Sequence, residues 1–348
     1  MRITFILPAP VRIPMGGAKV VYEHAKGLVR LGHSVTVIGP KRAGGNVRAR
    51  FMQSAIWVRD RLHGVSASPY YQAEGVATLT IPEATGAHIP HADVVIATGV
   101  QTARWVNDLP APKGKKFYFV QGYETFADDK ALDTWHLPLH KFTCANWLRR
   151  ELEQTGEKVL GVAPNAIDPS EFYLEQLIEN RGARIVALYH RHPVKGPDTL
   201  IRALQVMKHD LPELEADVFA ARPPAHRIPA WVNIHVRPSV QDLRRLYNQS
   251  AVLLHTSRRE GSPLVPMEAA ACGCALVATA NEGVQEHFHD GESIRMVPIS
   301  DAESLAQSAL AVMGNAEERK RLAQAALESV LALTWTDSTR ELERIIKA

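Results

Sequence analysis

Cysteine is scarce in this chain of 348 residues, with Cys144, Cys272 and Cys274 as its only three. So few, with no metal-ligand spacing, rule out a disulfide framework and a zinc motif. The longest uncharged apolar run, Ala269–Ala280, has 12 residues, short of the roughly 18 that cross a bilayer. A Gly-x-Gly-x-x-Gly element is missing from the N-terminal region, and the second strand closes Val37-Ile38-Gly39-Pro40 without an acid. Both absences count against a dinucleotide oxidoreductase. Asp-x-Asp occurs nowhere in the chain.

What is present is ordinary for a folded chain of enzyme size: 46% apolar and 22% charged residues, with 22 Gly and 22 Pro. The length alone suggests two domains. The net charge of +3 hides an asymmetry, because Met1–Pro164 carries 20 Lys and Arg against 13 Asp and Glu, and the remainder 20 against 24. That excess is too weak for a nucleic-acid binder and suits a phosphate-bearing ligand or an anionic membrane surface.

The pattern along the chain alternates strand and helix. A strand at Ile3–Leu7 leads through a Pro/Gly turn into a helix with Val20, Val21, Ala25, Leu28 and Leu31 as its core face, then a strand at Val35–Ile38. Strand-like runs return at Ala92–Ala97, Lys116–Val120, Lys141–Ala145 and Val159–Ala163, and the pattern restarts at Ile185–Leu188. Leu200, Ile201, Leu204 and Met207 then form a buried stripe behind Pro197, and Ser239 caps a helix ahead of Asp242. Ala251–His255 and Ala275–Ala278 read as buried strands, and Ala316–Ala348 as helical. Alternation of this kind predicts parallel, helix-covered sheets and an α/β fold of two doubly wound, Rossmann-like domains facing a cleft. The expected divisions are 1–164, 165–330 and a C-terminal helix at 331–348. Ile3–Pro10 reads as a first strand rather than a signal peptide, giving a cytoplasmic expectation. Lys41–Arg61 holds six basic residues, one acid and four large apolar residues. It reads as a solvated surface helix, with peripheral contact at the inner face of a membrane as the alternative.

Four places carry candidate chemistry. Gly16 and Gly17 lie where strand one meets a helix N-terminus, a place for an anion against backbone N–H groups. Arg191 and Lys195 emerge at the end of a strand beside the next helix start, where two cations can hold a diphosphate. In Arg258–Gly273, Glu260 follows a buried strand and Glu268 sits eight residues on in the next helix, carboxylates able to bind sugar or ribose hydroxyls. His190 and His192, and His136 and His140, have the spacing of metal pairs but no acidic partner nearby, and no metal is expected at either. His287 and His289 read as exposed polar residues in a turn.

These residues resemble glycosyltransferase family 4, retaining nucleotide-sugar transferases of the GT-B fold, over nearly the whole chain. Glu260 and Glu268 match the family's E-x7-E, Arg191 with Lys195 and Gly196 its phosphate element, and Gly16-Gly17 its N-terminal glycine loop. Asn165-Ala166-Ile167-Asp168 with Phe172 is similar to its interdomain segment, and Glu286 before His289-Asp290-Gly291 to its Pro-Glu stretch.

The resemblance implies that Glu260 binds donor-sugar hydroxyls, Glu268 the ribose, and Arg191 with Lys195 the diphosphate. It also implies that amides around Gly261, Ser262, Pro263, Leu264 and Val265 face the phosphate and sugar, that Val236 and Arg237 receive the base, and that the helix after Trp335 returns to the first domain. Gln121, in Gln121-Gly122-Tyr123-Glu124, stands where many members have a His, an arrangement similar to rhamnosyltransferase-like members. The loop Ala280-Asn281-Glu282-Gly283 lacks the usual Gly-Gly.

The implied reaction is hexosyl or deoxyhexosyl transfer from a nucleoside-diphosphate sugar to a glycan, lipid-linked or small-molecule hydroxyl, in surface-glycan or glycoconjugate synthesis. No cofactor, metal or nucleic acid is expected, since Arg191 and Lys195 replace the ion that Asp-x-Asp would hold. A noncatalytic nucleotide-sugar-binding subunit and a GT-B epimerase or phosphorylase are the alternatives.

Overall fold

The computed structural model describes residues 1–42, 68, 70–123 and 130–348. Residues 43–61 of the basic stretch, and Glu124, lie outside them. The chain divides into two compact units, Met1–Pro164 with Trp335–Ala348, and Asn165–Thr334.

The first unit runs β1 (Arg2–Ile6), α1 (Gly16–Arg30), β2 (Ser34–Arg42), β3 (Val76–Glu83), β4 (Val94–Ala97), α2 (Val100–Asn107), β5 (Lys115–Val120), β6 (His140–Thr143), α3 (Asn146–Gln154) and β7 (Val159–Val162). Its seven strands form one parallel sheet in the order β3-β2-β1-β4-β5-β6-β7. The order reverses between β1 and β4, which opens a crevice beyond their carboxyl ends.

One reading of this unit is corrected and one strand goes beyond what the sequence showed. Leu31 is not core: α1 ends at Arg30, and Leu31 as its C-cap is 38% exposed. The helix instead buries Val20, Val21, Tyr22, His24, Ala25 and Leu28. β3 was not legible, because it is an edge strand with one buried residue, Ile81, and so lacks the apolar run that marks an interior parallel strand.

The second unit runs β8 (Arg184–Leu188), α4 (Pro197–Asp210), β9 (Glu215–Ala220), β10 (Asn233–Val236), α5 (Val240–Gln249), β11 (Val252–His255), α6 (Leu264–Ala271), β12 (Ala275–Thr279), α7 (Glu282–Gln285), β13 (Arg295–Val297), α8 (Ala302–Gly314) and α9 (Ala316–Leu331). Six parallel strands in the order β10-β9-β8-β11-β12-β13 repeat the same winding, with the reversal between β8 and β11. Leu200, Leu204 and Met207 of α4 are fully buried against this sheet. α6 is buried on nearly every side, with Met267 and Ala269–Ala271 enclosed in the core, which is why it ends in a run of alanines.

The helical C-terminal segment breaks at 332–334, and its last helix, α10, runs Trp335–Lys347. α10 packs on α1 and β7 of the first unit. Close approach there requires glycine: a Cβ on Gly27 would lie 2.5 Å from Thr339 Oγ1, and one on Gly161 would lie 2.8 Å from Ile345 Cδ1. No helix among the described residues is long and apolar enough to cross a membrane.

Candidate active site

In the second unit the site candidates gather at the carboxyl ends of β8 and β11, at the reversal point. After β8 the chain makes a single 3-10 turn, Pro193–Lys195, and Gly196 then enters the left-handed region at φ +63°. A side chain on Gly196 would place its Cβ 2.2 Å from the Thr256 carbonyl oxygen. Two bonds stitch this turn to the loop after β11: Arg258 N–H donates to the Val194 carbonyl at 2.7 Å, and Thr256 Oγ1 to the Lys195 carbonyl at 2.8 Å.

The stitching brings together two residues 65 positions apart. Lys195 Nζ donates to Glu260 Oε1 and Oε2, each at 2.7 Å, and the carboxylate side chain is only 12% exposed. Burial pushes the Glu260 carboxyl up, but the Lys195 charge and bond, with smaller help from the Ser257 hydroxyl, hold it below its ordinary value. The Glu260 carboxyl is therefore ionised at neutral pH. Arg191 projects into solvent nearby in sequence. Beside the pair, His255 at the end of β11 is 3% exposed, with Nε2 3.6 Å from Glu260 Oε1. Burial lowers its pKa to about 4, so the ring is neutral.

The loop into α6 is equally constrained. Asn165 Nδ2 donates to the Ser262 carbonyl at 2.7 Å, and a Cβ on Gly283 would lie 2.6 Å from the Glu260 carbonyl oxygen. Ser262 Oγ and His287 Nε2 are 2.7 Å apart. This corrects the reading of His287 as an exposed turn residue: it is partly buried, and burial lowers its pKa to about 4. His289 is exposed as expected. Asn281 caps α7 and donates to the Ser257 carbonyl at 3.0 Å, tying the β12 loop to the β11 loop.

Gly261, Ser262 and Pro263 lie on the turn into α6, and Leu264 and Val265 form its first two positions. Pro263, its N-cap, offers no capping side chain, so the helix's first amides face the crevice end. Glu268, 6% exposed on α6, accepts from Tyr247 Oη at 3.3 Å. Val236 ends β10, and Arg237 follows in the left-handed region at φ +54°, its N–H donating to the Ala220 carbonyl at 2.8 Å.

The remaining candidates lie in the first unit. Gly16 begins α1, whose N-cap Met15 has no side-chain capping bond and whose first turn carries no acid. A Cβ on Gly17 would lie 3.3 Å from Gln121 Oε1, so these two candidates are neighbours, and Gln121 Nε2 donates to the Thr98 carbonyl at 3.4 Å. Among the described residues no group of three or more His, Cys, Asp and Glu is placed to hold a metal ion.

His287 was missed as a participant because its partner, Ser262, is supplied by another loop, and His255 because the loop after β11 has to fold back before Glu260 faces it. A histidine ending an otherwise apolar strand was the one available signal.

Residues 183–315 match the family described as Glycosyl transferases group 1. Curated relatives include D-inositol 3-phosphate glycosyltransferases of Kribbella flavida, 28% identical over 164 residues, and of Salinispora tropica, 27% identical over 183. Those alignments cover 41% and 47% of this chain and 38% of either relative, so the match spans well under half of their length. Among solved structures, sucrose-phosphate synthase from Thermosynechococcus elongatus aligns at TM-score 0.74 and 14% identity, covering all of this chain and 98% of that one. HepE of Anabaena, solved with UDP and glucose, aligns at 0.71 and 13%, and TarM at 0.72 and 8%, each over 100% of this chain and 99% of its own. The chain has the GT-B fold of these proteins, and the match to Glycosyl transferases group 1 falls within its second unit.

Proposed function

We propose that the protein is a retaining glycosyltransferase that moves a hexosyl or deoxyhexosyl group from a nucleoside-diphosphate sugar to a hydroxyl of a glycan, lipid-linked or small-molecule acceptor, without a metal ion, in surface-glycan or glycoconjugate synthesis. The observation that carries this reading is the Lys195–Glu260 pair at the reversal point of the second sheet, beside the uncapped start of α6. It places a cation, a carboxylate and backbone amides where an α/β sheet binds its ligand. The domain match to group 1 glycosyltransferases and the UDP-bound structure of HepE support the donor class.

In this reading Lys195, with Arg191, stabilises the diphosphate as the bond from the sugar's anomeric carbon to phosphate oxygen breaks and its electron pair leaves with the phosphate. The acceptor oxygen bonds to the anomeric carbon on the same face, and its proton passes to the leaving phosphate. Glu260 orients sugar hydroxyls and offsets developing positive charge, and Glu268 binds the ribose. The absence of Asp-x-Asp and the presence of these cations support metal independence.

Nucleotide release from UDP-, GDP-, dTDP- and ADP-sugars, with candidate acceptors, tests the reading. One donor class is expected to be turned over, with turnover unchanged by EDTA and reduced about 10²-fold or more by Glu260→Ala. Full activity in Glu260→Ala removes the assignment, and donor binding without turnover favours a noncatalytic subunit.

A further inference from the structure

The Lys195–Glu260 pair raises a difficulty for its own function. Glu260 receives both of its short bonds from the ammonium that a diphosphate would draw away, and the carboxylate is nearly enclosed. A buried carboxylate stripped of its partner is costly. Main-chain adjustment offers no relief: Thr256 holds the Lys195 carbonyl and Arg258 the Val194 carbonyl, Gly196 has no room for even a methyl group, and Gly283 packs on the Glu260 carbonyl. Any rearrangement is confined to side chains.

Apart from Ser257, whose hydroxyl already bonds the carboxylate, one group stands ready to receive it. His255 Nε2 is buried, has no hydrogen-bond partner, and faces Glu260 Oε1 from 3.6 Å, just beyond bonding distance. An unsatisfied polar atom in a core position costs stability, and a hydrophobic residue would serve the strand better.

We propose that His255 is a positioning residue that accepts the handover of Glu260: when a nucleoside diphosphate engages Lys195, the Glu260 carboxylate moves the short distance to accept a bond from His255 Nε2–H. No proton is transferred, since the ring stays neutral and the carboxylate ionised. The inference rests on the reading of the site as a nucleotide-sugar site. It makes the ligand-free ion pair a resting arrangement, with Glu260 held by Lys195 before the donor arrives and by His255 afterwards.

The handover belongs to binding, so its loss falls on donor affinity. Steady-state nucleotide release, calorimetric titration with the donor that the wild-type protein uses, and thermal melting are compared for wild type, His255→Leu and His255→Gln. His255→Leu is expected to melt no lower than wild type, because it removes an unpartnered polar atom. Its donor KM and Kd are expected to rise roughly tenfold or more, the effect of one bond to a charged group, with kcat within about threefold, in keeping with a role in binding. His255→Gln, which retains an N–H donor, is expected to recover most of the affinity. Wild-type donor affinity in His255→Leu overturns the handover while leaving the proposed function standing. An equal loss in His255→Gln and His255→Leu also overturns it, by showing that ring shape rather than the bond is what matters. A wild-type protein that binds and turns over none of the donors overturns the proposed function and the handover together.

Discussion

At the scale of single residues, the second-unit site depends on a few positions where no other side chain fits. Gly196 combines a left-handed backbone with an approach of 2.2 Å between a would-be Cβ and the Thr256 carbonyl. Gly196→Ala is therefore expected to lower stability by about 1–3 kcal/mol, a drop of several degrees in Tm, and to displace Lys195 with it. Melting curves and Glu260-dependent turnover measure both. The residue types here were legible in the sequence: Glu260, Glu268, Lys195 and the glycines stand in short, ordered motifs. Their pairing was not. Nothing in a stretch of sequence says that Lys195 will meet Glu260, or that Ser262 will meet His287, because those bonds join loops from different strands.

At the scale of elements, the link between α1 and α10 is held by a neutral histidine. His24 is fully buried between Phe119 and Trp335, edge-on to both rings, with Nδ1 3.3 Å from Thr339 Oγ1. Burial lowers its pKa to about 3, against about 4 for His255 and His287. In the unfolded chain these rings titrate near 6.5, so below that pH the unfolded state binds more protons. The stability they contribute is fully present above about pH 6.5 and is lost as pH falls, at about 1.4 kcal/mol per unit for each ring until its folded pKa is reached. Tm measured from pH 7 to 4 is expected to fall steeply, and His24→Phe, which keeps the ring contacts, to flatten that fall. Gly27→Leu acts on the same junction, pressing against Thr339 at 2.5 Å. It is expected to loosen α10 and expose residues 332–334 to limited proteolysis.

At the scale of the whole molecule, the first unit includes a segment, Trp335–Ala348, that follows the second unit in sequence. α10 buries Leu342, Ile345 and Ile346, and Glu343 Oε1 bonds His33 Nε2 at 2.8 Å. A chain ending at Thr334 loses all of these contacts from the first unit and none from within the second. Scanning calorimetry of that truncation is expected to show a lowered first-unit transition beside an unchanged second one. A single transition lowered as a whole contradicts this.

The sequence by itself determined the α/β class, the doubly wound repeats and the residue types of the site, because buried parallel strands are continuous apolar runs and turns at strand ends carry their own punctuation. Edge strand β3 escaped it, since an exposed strand has no such run, and Leu31 was misplaced, since periodicity continues past the residue where a helix stops. Only the tertiary structure decided that Lys195 rests on Glu260 and that His287 turns inward to Ser262. The reason is that side chains 25 to 65 residues apart meet through the order of strands in a sheet, and strand order is a property of the assembled layers.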